Sequence, residues 1–422
     1  MNDLLSDNMP WAFWRLLGAE FSAEDWQAAS QSALFCLGNL PAAQTAELSE
    51  TIAAILGEGQ FGPRHWQLSP AKRLYYAVRP ALPSAVKPLL QRTAARGRKS
   101  GGLLSWPLDD RYVRFQFETL RQLLQRKGLD SLPYAHFWPS GLRFALVLTH
   151  DVESQQGQRF VHKLAAQEEK YGFRSSFNFV PEEYPTDRGL LESLRERGFE
   201  IGVHGLRHDG KLFSSRRVFL EQAQRINRYL RNWQAVGFRA PLTNRNPEWM
   251  QALDIEYDAS FFDTDPFEPI PGGTMSIWPF FIGRFVELPY TLAQDHTLLR
   301  TLGETTARLW LEKVAFIRQH CGLAIVNTHP DYLLNPSYLA VYTGFLAEMK
   351  RQGGYWQALP RDVARWWRQR AATPIKESEG HWLAPDLPEL SIGRVRLARD
   401  DDNATTLILE PTGEQTPALQ VM

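Results

Sequence analysis

The feature that most restricts what this chain can fold into is an alternation between short apolar runs and helical stretches, from residue 143 to residue 352. The runs are FALVLT, SSFNFV, EIGVH, VGFRA, YDASFF, FVELP and LAIVNT, seven in all. Stretches of helical character near 157–171, 187–197, 214–232, 245–253, 299–320 and 337–352 lie among them. Strands joined through helices need crossover connections, and these give a parallel sheet covered by helices. The expectation is therefore an α/β fold with about seven parallel strands. Spacing alone does not separate a closed barrel from an open sheet. In barrels of this sort the carboxyl ends of the strands build the active site, and there the polar residues gather: His150 and Asp151, His204, Arg239, Asp258 and His329.

The flanks read differently. Residues 1–138 form a mostly helical region in which Leu120, Leu123 and Leu124 recur at helical spacing and Gly128 is a C-cap. Trp11, Trp14, Trp26 and Phe35 are expected to make a small aromatic core for the earlier helices. Residues 139–370 hold the strand–helix alternation, with Trp366 and Trp367 closing it. Residues 371–422 form a small appendage, where Arg394–Arg399 and Ala404–Glu410 flank Asp400–Asn403 as a β-hairpin.

Forty-seven bases balance 47 acids, and a chain without excess positive charge is not a general nucleic-acid binder. The balance is uneven along the chain. Gly59–Leu108 has nine Lys and Arg and no acid, whereas Thr373–Met422 has nine acids and four bases. The first segment suggests peripheral contact with an anionic membrane surface, or neutralisation by the acidic tail. No run of 18 apolar residues is present, so no transmembrane segment is expected. The amino terminus, with Asp3 and Asp7, lacks the character of a signal peptide. The expected location is cytoplasmic, with possible contact at the inner membrane face. Two cysteines, Cys36 and Cys321, exclude a thiolate zinc site by number and make a disulfide framework unexpected.

Four motifs carry chemistry. His204 and His208, four apart after a strand, face one point if the backbone makes a helical turn; otherwise they are loop histidines bonded locally. Asp151 and Glu153, two apart at a strand end, turn their carboxylates the same way, which suits a metal ligand beside a general base. Taken singly, each also suits a helix cap or a solvated acid. Arg239, in FRAP, is placed to keep a carboxylate ionised. His329, in NTHPD, emerges from an apolar strand, and Asp331 two residues on is expected to raise its pKa.

The ordered set Thr149-His150-Asp151, His204-x-x-x-His208, Arg239-Ala240-Pro241 and His329 resembles the successive motifs of the NodB-homology polysaccharide deacetylases, also called carbohydrate esterase family 4-like proteins. The match runs from residue 144 to 331. Ser175, Ser176, Phe177 and Phe179 fit the family's second strand, and Tyr257-Asp258-Ala259-Ser260 resembles its fourth motif. The resemblance implies a distorted (β/α) barrel of about seven strands and removal of acetyl groups from N-acetylated sugars of a polysaccharide or glycan intermediate. It implies a divalent metal, usually zinc, on His204 and His208 with one carboxylate. It further implies Asp151 as base, Arg239 as its orienting partner and His329 as the acid that protonates the leaving amine. Asp258 and Tyr332 are the expected substrate-binding residues. Where the family has two consecutive aspartates this chain has Val152 in the second place, so the sequence resembles the Thr-His-Asp-Val-acid branch. Either Glu153 is the carboxylate ligand, the reading adopted, or Asp151 itself binds the metal.

Two other functions compete. A metal-free amide or ureide hydrolase on the same scaffold fits the missing second aspartate, and retention of both histidines speaks against it. A non-catalytic carbohydrate-binding subunit of a surface-polysaccharide assembly has no need of the complete set Asp151, Arg239 and His329.

Overall fold

The computed structural model describes residues 2–45, 47–63, 65–67, 102–399 and 405–410. The nine bases between Gly59 and Leu108 lie outside these residues, as do the expected hairpin turn Asp400–Asn403 and the segment from 411 onward.

All seven apolar runs are strands of one curled sheet. They are β2 (Ala145–Val152), β3 (Ser176–Phe179), β4 (Glu200–Val203), β5 (Gly237–Phe238), β6 (Tyr257–Asp258), β8 (Phe285–Glu287) and β9 (Leu323–Thr328). Every residue of β2 and of β9 is buried, as a strand covered on both faces requires. The path is β2-β3-β4-β5-β6-β8, each pair parallel, while β9 runs parallel to the other edge of β2. Two additions escaped the apolar pattern: β7 (Phe280–Ile282), an antiparallel partner of β8, and β10 (Trp356–Gln357), parallel to β2. The last seam is made without a regular strand. After β8 the chain bridges Leu292 to Val326, and Leu292 N–H donates to Ile325 O at 2.9 Å. The result is a distorted (β/α) barrel with mostly parallel strands.

The crossover helices lie where their periodicity placed them, at Gln155–Tyr171, Arg188–Glu196, Arg216–Asn232 and Pro336–Gln352. The first three start on capping side chains: Ser154 accepts from Gly157 N–H, Asp187 from Leu190 N–H and Ser215 from Val218 N–H. Such caps are worth about 1 kcal/mol each. In Arg188–Glu196, Leu190, Leu191 and Leu194 are buried, roughly 1.5–3 kcal/mol apiece. The expected helix near 299–320 is broken in two, a π-helical turn at His296–Thr301 and an α-helix at Arg308–Gln319. That near 245–253 shrinks to Pro247–Met250.

The N-terminal helices include Ala23–Ala33, Leu48–Leu56 and Arg111–Arg126. Their aromatic core differs from expectation. Trp14 and Trp26 are buried, but Trp11 is 44% and Phe35 68% exposed. Trp14 packs instead on Phe13, Phe117, Tyr134 and Phe137. A strand at the end of this region, β1 (Ser131–Ala135), pairs antiparallel with β13 (Ile392–Arg399), which in turn pairs with β14 (Thr405–Glu410), while β11 (Lys376–Ser378) and β12 (His381–Leu383) form a separate antiparallel pair. The appendage hairpin is thus joined to the first third of the chain. Arg370 anchors the junction: fully buried, it donates to the carbonyls of Phe13, Ala135 and His136. Trp366 and Trp367 are buried beside it. Cys36 and Cys321 are free and buried. Among the described residues no helix is long and apolar enough to cross a membrane.

Candidate metal and acid–base centre

The site is built from strand ends. Asp151 stands near the end of β2 and Glu153 just beyond it, while Val152 between them points into the core. His204 follows β4 and His208 lies further along the same loop. The two histidines converge without a helical turn, contrary to expectation. The loop reverses at Gly205, whose φ is +66° and whose hypothetical Cβ would meet Pro241 Cγ at 2.6 Å, so glycine is required there. The imidazole centroids are 5.4 Å apart.

Glu153, His204 and His208 each offer a ligand atom within 4.8 Å of the other two, the one such group of three among the described residues. His204 Nδ1 faces Arg239 O at 3.0 Å, so it carries the proton and donates, leaving Nε2 as a bare lone pair. That Nε2 is buried with no hydrogen-bond partner. A histidine fixed through one nitrogen with the other unsatisfied is the arrangement of a metal ligand. Burial foremost lowers the His204 pKa, keeping the ring neutral as ligation needs. His208 Nε2 lies 2.9 Å from Glu153 Oε1. Burial opposes charge on both members of this pair. Their mutual attraction overcomes it, raising the His208 pKa and, with help from His329, holding Glu153 below the usual carboxylate range. The donor set of two imidazoles and a carboxylate fits a divalent cation such as zinc.

Asp151 is not one of that trio. Its carboxylate is 3% exposed and accepts from Asn178 Nδ2 at 2.9 Å, Asn327 Nδ2 at 2.8 Å and Arg239 Nη1 at 3.4 Å. Arg239 also donates to Ala259 O and Thr149 Oγ1. Burial works to raise the Asp151 pKa, but Arg239, then His204 and His329, hold it below its ordinary range. The two asparagines are its shortest partners, and sequence reading missed both. Each is an amide inside a run of buried residues, which demands a partner and so was a usable signal. Gly202, opposite Asn178 in register, is equally constrained: a Cβ there would fall 2.0 Å from Asn178 Oδ1.

His329 follows β9. Its Nδ1 lies 2.7 Å from Asp295 Oδ1, its backbone N–H donates to Asp295 Oδ2 at 2.8 Å, and its Nε2 is 3.6 Å from Glu153 Oε1. Burial opposes the imidazolium; Asp295 first and Glu153 next prevail, and the pKa rises to about 10. The expected partner was Asp331. That residue instead accepts from Glu153 N–H and from the Ser154 hydroxyl, because the chain enters a short helix, Pro330–Leu333, directly after His329. Asp295 had no sequence signal.

Of the expected substrate-binding residues, Tyr332 lies at the site, partly exposed, with its ring centroid 4.9 Å from that of His329. Asp258 is fully buried and its oxygens accept from Ser260 N–H and Oγ, so it offers no surface to a substrate. Trp278, Trp310 and Tyr290 are buried as well.

No family model and no curated protein matches the sequence. Solved structures do. A Mycobacterium smegmatis protein described as a polysaccharide deacetylase aligns with 58% of this chain and 96% of its own, at 20% identity and a TM-score of 0.48. A Pseudomonas aeruginosa PAO1 protein so described aligns with 56% of this chain and 94% of its own, at 16% identity and 0.46. PuuE allantoinase aligns with 55% and 93%, at 17% identity and 0.42. These three likenesses span 55–58% of this chain.

Proposed function

We propose that the protein is a divalent-metal-dependent hydrolase that removes acetyl groups from N-acetylated sugars of a polysaccharide or glycan intermediate. The observation that carries this reading is the buried, unpartnered Nε2 of His204 beside His208 and Glu153, with a held carboxylate and a held imidazolium next to it. Glu153, His204 and His208 would hold the cation, which when bound polarises a carbonyl and acidifies water.

The remaining work falls to Asp151 and His329. Asp151, ionised and fixed by three N–H donors, accepts a proton from the attacking water. His329, kept protonated by Asp295, donates its Nε2 proton to the nitrogen as the C–N bond breaks. Water's oxygen joins the acyl carbon, and acetate and a free amine leave. Tyr332 offers a ring against which a sugar face can lie. The test is acetate release from N-acetylated oligosaccharides before and after chelation, with zinc restored. Release that survives chelation favours a metal-free amide or ureide hydrolase. Sugar binding without release favours a non-catalytic carbohydrate-binding subunit.

A further inference from the structure

The helical first third of the chain reaches the catalytic centre through an unbroken set of buried contacts. Glu58, just past the helix Leu48–Leu56, is fully buried with φ +59°. Its carboxylate pairs bidentately with Arg245, also fully buried, accepts from Gly273 N–H at 2.6 Å and meets His65 Nε2 at 3.1 Å. Burial works to neutralise Glu58, but Arg245 and then His65 keep it ionised, with a pKa of about 2. Gln60 Nε2 donates to Gly273 O at 2.9 Å, Ser105 O accepts from Thr264 Oγ1 at 2.7 Å, and the Trp106 ring lies edge-on to Phe267. The first third therefore grips the 263–273 loop at both ends and in the middle.

That loop carries Glu268, which faces the site. Arg245 Nη1 donates to Thr243 O at 2.6 Å, and Thr243 Oγ1 donates to Glu268 Oε2 at 3.0 Å. Glu268 Oε1 accepts from Tyr290 OH at 2.7 Å and from Gln294 Nε2 at 2.5 Å. Gln294 Oε1 accepts from Asn327 Nδ2 at 3.3 Å, the amide that also holds Asp151. Next along the chain from Gln294 is Asp295, which holds His329. Every residue from Glu58 to Asp151 along this route is less than a tenth exposed.

We propose that Glu58 and Glu268 are positioning residues for the acid–base pair, and that the helical first third is a working part of the catalytic unit. Through Arg245 and Thr243 it fixes Glu268, and Glu268 fixes the Gln294–Asp295 segment that orients both Asp151 and His329. None of these residues touches the cation or the acyl group. The proposal rests on the deacetylase reading for its kinetic test.

A double-mutant cycle decides it, because a chain of intermediaries acts as a unit whereas independent defects multiply. Glu58→Gln and Glu268→Gln are each expected to lower kcat for acetate release by roughly 2–30-fold, with KM and zinc affinity unchanged. The double variant should lose no more than the worse single one. Losses that multiply overturn the proposal. Breaking the buried ion pair can unfold the protein, so Thr243→Val, which leaves that pair intact and removes the hydroxyl's contacts with Glu268 and with Leu242 O, forms a second cycle with Glu268→Gln. Amide exchange supplies a readout free of turnover. Thr243→Val should speed exchange at the His329 N–H, which Asp295 holds, and an unchanged rate there overturns the proposal. Absence of acetate release by the wild type would refute the deacetylase reading alone, leaving the exchange measurement to decide this one.

Discussion

Replacing Asp295 with Asn tests how the acid is kept charged. Asp295 is the largest contributor raising the His329 pKa from its ordinary 6.5 to about 10, ahead of Glu153 and against burial. That rise is worth about 5 kcal/mol in favour of the imidazolium. Asparagine keeps an oxygen to accept from Nδ1–H but removes the charge, and a cation taken up at Glu153 engages the next contributor too. The pKa of His329 then falls toward 6.5. As the proposed acid His329 would work in its protonated form, so activity is expected below its pKa and is lost as pH rises through it. In the wild type Asp295 still favours the imidazolium, so kcat should fall only at a more alkaline pH than in the variant. In Asp295→Asn about 3% of the molecules keep the proton at pH 8, a loss of about 30-fold against wild type that shrinks to about 1.3-fold at pH 6. The assay is kcat against pH for acetate release. An alkaline limb that coincides with the wild type's, or a loss equal at all pH values, would refute the reasoning. Removing the acid outright with His329→Ala should cost about 10²–10⁴-fold in kcat with KM little changed.

Further predictions follow from the ligand set and the charge distribution. His204→Ala and His208→Ala should each lose bound zinc and activity together while circular dichroism stays native; full metal occupancy in both would remove them as ligands. Glu153→Gln should weaken metal binding by more than the roughly 10–100-fold typical of a lost outer partner, whereas Asp151→Asn should retain metal and lose about 10²–10⁴-fold in kcat; the reverse pattern would exchange their roles. The basic segment between Gly59 and Leu108 should carry the protein onto anionic vesicles at low salt and release it at physiological salt; no co-sedimentation at either salt rules out membrane contact.

Sequence and structure agree where local chemistry is repetitive. FALVLT and LAIVNT are buried along their whole length, so composition alone marks β2 and β9. Histidines and acids directly after such runs stand at the sheet's carboxyl edge by geometry, which is why Glu153, His204 and His208 were legible. Asp295 was not. It lies 34 residues before His329 in an irregular stretch after β8, and only the closing seam at Leu292 brings it there. Asp331 shows the opposite error, since nearness in sequence fails where the chain turns into a helix at Pro330. Asp258 obeys the strand-end rule and yet is buried, because Ser260 satisfies its carboxylate locally.

The pairing of β1 with β13 has a consequence in time. Ser131 lies opposite Arg396, 265 residues further along the chain. At roughly 5–20 residues per second, synthesis separates the two strands by about 15–50 s. Throughout that interval the β13-facing edge of β1 lacks its partner, the kind of open strand edge that recruits other chains. Crowded nascent chains would therefore be open to misassociation at Ser131–Ala135 well before the residues around His329 have been made.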